Sequence, residues 1–99
     1  MKIDATHPPE PGKSIRVIVD GTPVAVFNVG GVLFGLDARC THVGGPMDRG
    51  PVSGMTVTCP LHGSQFDIRT GAVIRGPAVR PLKCYRVRSE ADGLTIDPM

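Results

Sequence analysis

Aromatic side chains are scarce in this chain, which has no Trp, one Tyr and three Phe among 99 residues. A chain of this length makes one domain (1–99) and buries only about two-thirds of its unfolded surface, so its apolar core is expected to be thin and to need help from another source. Cysteine is sparse too. A count of three excludes a fully paired disulfide framework, and a reducing compartment fits. Met1 to Ser14 has no apolar run and carries Lys2, Asp4, His7, Glu10, Lys13 and three prolines. It reads as a loose leader over 1–13, neither a signal peptide nor a membrane anchor, and the expected location is the cytoplasm. Charge of one sign is also lacking: the formal net charge is +2, and Arg69, Arg75, Arg80, Lys83, Arg86 and Arg88 are scattered rather than interleaved with aromatics, so nucleic-acid binding is not indicated.

Helical periodicity is missing throughout, and short β segments take its place. Branched residues over Ser14–Val19, Pro23–Val29 and Val32–Leu36 are separated by Asp20-Gly21 and Gly30-Gly31, the signature of an antiparallel meander. Met55–Thr58 reads as a short strand. Ser64–Ile68 and Ala72–Arg75 read as a hairpin, as do Lys83–Ser89 and Leu94–Asp97 across Asp92-Gly93. The segment through Met47–Pro51 is too rich in Gly and Pro to be regular, and Gly76–Pro81 cannot be a central strand. Seven or eight short strands give an all-β antiparallel sandwich or partial barrel. A small subdomain is expected to be inserted at about 38–66. Cys84 could face either side of its strand.

What is present in strength is a paired motif. Cys40-Thr41-His42 is followed, after sixteen intervening residues, by Cys59-Pro60-Leu61-His62-Gly63-Ser64. Each half supplies one thiolate and one imidazole from a sharply turning loop. Two sulfur and two nitrogen ligands suit a zinc ion or an iron–sulfur centre. Structural zinc knuckles usually pair like with like, whereas each half here is mixed. His7 and Cys84 lie outside the pattern.

This mixed arrangement resembles the Rieske motif, in which two cysteines hold one iron of a two-iron, two-sulfide cluster and two histidines hold the other. Cys40–Pro46, Cys59–Asp67, Thr70-Gly71 and the Gly76-Pro77 loop are similar to the small Rieske ferredoxins, over most of the chain after about residue 14. The resemblance implies a [2Fe-2S] cluster on Cys40, His42, Cys59 and His62, with Pro77 in a loop covering its third side. Two ferric ions, two sulfides and two thiolates sum to about zero charge, against about minus two with four thiolates, which raises the reduction potential.

High-potential members of the family carry a disulfide-forming cysteine in each loop and a tyrosine two residues past the Ser of the second loop; here those positions are Gly45, Leu61 and Phe66. Ser64 remains as a hydroxyl donor. The resemblance therefore implies a low-potential ferredoxin that carries one electron from a flavin-dependent reductase to a terminal, ring-hydroxylating oxygenase, and the chain is expected to be a monomer. The small subunit of an assimilatory nitrite reductase and, from another class, a zinc-stabilised interaction module are the alternatives. With no substrate-pocket signature, second metal site or nucleotide fingerprint, the chain is not read as an enzyme in its own right.

Overall fold

A computed structural model describes residues 1–41 and 44–99. Its strands, in chain order, are β1 (Lys2–Asp4), β2 (Ser14–Val19), β3 (Thr22–Val29), β4 (Val32–Asp37), β5 (Val52–Ser53), β6 (Thr56–Thr58), β7 (Gln65–Asp67), β8 (Val73–Arg75), β9 (Cys84–Glu90) and β10 (Gly93–Pro98). They form a six-stranded antiparallel sheet in the order β1-β10-β9-β4-β3-β2 and a four-stranded one in the order β5-β6-β7-β8. The expected meander is β2-β3-β4, paired as Val17↔Val24 and Phe27↔Phe34.

Alternation along β3 explains how one strand serves two cores. Successive side chains point to opposite faces. Val24 and Val26 join Val17, Val19, Tyr85, Leu94 and Ile96 on one face. Ala25 and Phe27 join Leu36, Met47, Val57, Phe66 and Ile68 on the other, together with Cys40 and Cys59. The second cluster lies between the large sheet and the ligand loops, so the small sheet and the loops share a core with the large one. Cys84 is half-buried against this cluster, and Tyr85 beside it packs into the first.

Three expectations need correction. Lys2–Asp4, expected within a loose leader, pairs with β10 through Lys2↔Thr95 and Ile3↔Leu94, because β10 otherwise leaves an edge of main-chain donors and acceptors open. The irregular stretch at 47–51 contains a one-turn 3₁₀ helix, Met47–Arg49, whose Met47 is buried; the next residues make the two-residue β5, which pairs with β6. The hairpin expected at Ser64–Ile68 and Ala72–Arg75 forms as β7 and β8, so the small sheet extends to Arg75, past the end of the subdomain expected at about 38–66.

Candidate metal centre

Two loops with one hydrogen-bond scheme form the site. The N–H of Cys40 donates to the carbonyl of Gly45 (2.8 Å), and the N–H of Gly44 donates to the carbonyl of Cys40 (2.8 Å). In the second loop the N–H of Cys59 donates to Ser64 (2.7 Å), and that of Gly63 donates to Cys59 (3.1 Å). The offsets of four and five residues are the same. Gly44 and Gly63 hold equivalent places with φ of +74° and +78°, a conformation in which a side chain is strained. Strands fix where the loops start: Cys40 follows β4 and Cys59 follows β6. The shared offsets are visible in the sequence as a glycine four residues after each cysteine.

The loops bring two of the four expected ligands together. Cys40 and Cys59 are buried free thiols of the same core cluster, near enough for the one to influence the other. Burial pushes the Cys59 thiol up, the main-chain N–H groups of Leu61 and His62 pull it down, and the Cys40 thiol adds to the rise. A Cβ built on Gly45 would stand 2.5 Å from the Cys59 sulfur and 3.2 Å from Leu61 Cγ. Only a glycine allows this approach. His62 is exposed, and His42 lies outside the described residues. Among the described residues no three His, Cys, Asp or Glu side chains converge as an ion site.

The 76–82 segment lies against both loops. Ser64, fully buried, accepts a 3.0 Å hydrogen bond at Oγ from the N–H of Ala78, and the Thr41 hydroxyl donates to the carbonyl of Arg80 at 2.6 Å. Sequence reasoning missed this pair of tethers, because their partners on the segment are backbone atoms and leave no residue signature. Pro77 is exposed, Phe66 is buried in the shared core, and Leu61 is 56% exposed. His7 is exposed near the other end of the chain's path, beside Pro8, Glu90 and Asp92.

The family model for the Rieske [2Fe-2S] domain matches residues 2–86. The chain belongs to the Rieske [2Fe-2S] domain family. A relative of this Rieske chain is the 3-phenylpropionate/cinnamic acid dioxygenase ferredoxin subunit of Escherichia coli K12, 39% identical over 88 residues, covering 87% of this chain and 81% of the relative. The ferredoxin of carbazole 1,9a-dioxygenase from Nocardioides aromaticivorans IC177 matches with a TM-score of 0.88 and 27% identity, over 99% and 98% of the two chains. A chain in a complex of reduced oxygenase and oxidized ferredoxin in carbazole 1,9a-dioxygenase matches at 0.84 and 29% identity, over 97% and 99%.

The described residues fit the family's cluster. Two buried thiols without a disulfide lie in one core cluster, the main-chain N–H groups of Leu61 and His62 favour the anionic form of one of them, and the glycine at 45 clears space beside it. Main-chain donors to a coordinating sulfur stabilise its anionic form. When bound, the cluster supplies a store for a single electron.

Proposed function

We propose that Cys40, His42, Cys59 and His62 hold the [2Fe-2S] cluster and that this Rieske ferredoxin carries one electron from a flavin-dependent reductase to a terminal oxygenase that hydroxylates aromatic rings. The matched loops that join Cys40 to Cys59 carry the reading. The exposure of His62 suits it, since an imidazole edge at the surface offers a partner a short path to the iron. The relatives named above are ferredoxin components of dioxygenase systems, so the chain is an electron-transfer component and not the oxygenase. They do not favour the nitrite-reductase or zinc readings.

The chain's own residues set the potential. Gly45, Leu61 and Phe66 bring neither disulfide nor phenol to the site. Ser64 uses its oxygen to accept from Ala78, which leaves its single proton to be donated to a cluster sulfide. With one hydroxyl donor, the reduced and more negative state gains little stabilisation, and the proposed potential lies near the negative end of the Rieske range of roughly −150 to +300 mV. A monomer in the cytoplasm completes the proposal. Three free cysteines support a reducing compartment, and no described helix is long and apolar enough to cross a membrane.

Analysis of purified protein tests the reading. About two irons and two acid-labile sulfides per chain are expected, together with loss of the visible spectrum in Cys40→Ser and Cys59→Ser but not in Cys84→Ser or His7→Ala. Stoichiometric zinc without colour would overturn it.

A further inference from the structure

Charge is distributed unevenly around the ligand loops. Arg39 precedes Cys40 and bridges to Pro46. Arg49 ends the 3₁₀ turn, next to the Gly50–Pro51 stretch that packs on Thr58, the residue before Cys59. Arg75 pairs with Gln65, the residue after Ser64, and Arg80 is tethered through its carbonyl to Thr41. All four are exposed. Two acids of this neighbourhood are already engaged: Asp48 by Arg16 at 2.9 Å, and Asp37, which lines a cavity with Arg39, by the Tyr85 hydroxyl at 2.7 Å. Elsewhere basic residues have acidic company: Lys2 is paired with Asp92 and Arg69 with Asp67, and Arg86 and Arg88 act on Asp97. Within the basic group lie two exposed apolar side chains, Leu61 at 56% and Val79 at 88%. Val79 sits between the two residues that carry the tethers, so it stands beside both ligand loops.

We infer that this end of the molecule is a docking face with a small apolar centre, Leu61 and Val79, and a basic rim, Arg39, Arg49, Arg75 and Arg80, and that its occupant is an acidic surface of the terminal oxygenase. The inference rests on the electron-carrier reading and adds the chemistry of the partner. Apolar centres with arginine-rich surroundings are the usual anatomy of transient protein contacts. Rim charges act mainly on the rate of encounter. Charge repulsion would disfavour a basic partner at the same face, so the rim also selects.

Small redox ions read the local charge without a partner. Reduced holoprotein passes one electron to hexacyanoferrate(III), giving hexacyanoferrate(II), or to the tris(phenanthroline)cobalt(III) cation, giving cobalt(II). Screening shortens from roughly 30 Å at 0.01 M to about 8 Å at 0.15 M salt. Over that interval the rate with the anion should fall by about tenfold and the rate with the cation should rise, within the range that steering gives. Arg75→Gln/Arg80→Gln should reduce both dependences by about half, whereas Arg86→Gln/Arg88→Gln, an equal loss of charge elsewhere, should change them much less. With the oxygenase, Arg75→Gln/Arg80→Gln should raise the ferredoxin KM several-fold at low salt and leave kcat unchanged. Equal salt dependence for both small ions, an equal effect of the two double variants, or an oxygenase KM indifferent to salt would overturn the inference. No electron transfer to the oxygenase at any salt concentration, in protein that still reacts with the small ions, would instead overturn the electron-carrier reading and this occupant with it.

Discussion

Gly45 approaches the Cys59 sulfur so closely that a Cβ at this position would lie 2.5 Å from it. The neighbour is not the free end of a flexible chain. Cys59 is held by its own N–H and carbonyl, through Ser64 and Gly63, and cannot retreat without opening its loop. Gly45→Ala should therefore lower iron content or distort the visible spectrum while the large sheet stays folded. Wild-type iron content and spectrum in that variant would contradict the geometry.

Ser64 and Thr41 should differ in what they cost. Ser64→Ala leaves the N–H of Ala78 without its partner at a buried site, a loss of about 1–3 kcal/mol, whereas Thr41→Val removes a more exposed bond worth about 1 kcal/mol or less. Ser64→Ala should in addition lower the reduction potential, and Thr41→Val should not. Denaturation of the holoprotein and potentiometry of both variants check the pair, and equal potentials in Ser64→Ala and wild type would remove Ser64 as a donor.

Phe66 is fully buried and pairs with Val57 across the small sheet. Phe66→Tyr should raise the potential if its hydroxyl reaches a cysteine sulfur, because a donor there stabilises the reduced state. A wild-type value above about +100 mV, well into the upper part of the Rieske range, would show that the lack of donors at 45, 61 and 66 does not govern the potential.

Tyr85 donates its hydroxyl to Asp37 at 2.7 Å. Burial raises the phenol's pKa, and the hydrogen bond and charge of Asp37 raise it further. A raised pKa in the folded state means that this stabilisation is complete below the unfolded value, about 10, and is lost as pH climbs beyond it. Tyr85→Phe should cost about 1 kcal/mol near neutral pH and flatten the alkaline decline. Tyr85 is the sole tyrosine, so tyrosinate absorbance reports it alone; ionisation near pH 10 in the folded protein would refute the assignment.

Removal of the cluster should loosen one core and spare the other. Cys40 and Cys59 belong to the cluster of Phe27, Met47 and Phe66, whereas Val17, Val24, Tyr85 and Ile96 pack on the opposite face. Hydrogen exchange on apoprotein should show early loss of protection at Cys40, Gly44, Cys59 and Ala78, with β2 and β3 protected for longer. Uniform loss across the chain would indicate that the two cores unfold as one.

The sequence made β2, β3 and β4 legible because branched residues and two-residue Gly turns act locally. β1 was not, since Lys2-Ile3-Asp4 has one apolar residue and owes its extension to β10, ninety residues away. The ligand loops were recognisable from residue type and spacing. The tethers of 76–82 were hidden because a hydrogen bond to main chain can be made to any residue. Of the four expected ligands, Cys40 and Cys59 are together, His62 is exposed, and His42 lies outside the described residues.

That use of main chain has an evolutionary side. Ser64 and Thr41 grip the N–H of residue 78 and the carbonyl of residue 80, so the side chains at 79 and 80 bear none of the task of keeping the cover in place. Substitution there can alter what the surface recognises without loosening the cofactor's enclosure. A lineage could thus exchange one redox partner for another by changing a two-residue patch, and a library randomised at Val79 and Arg80 should yield folded, coloured proteins with divergent partner preference.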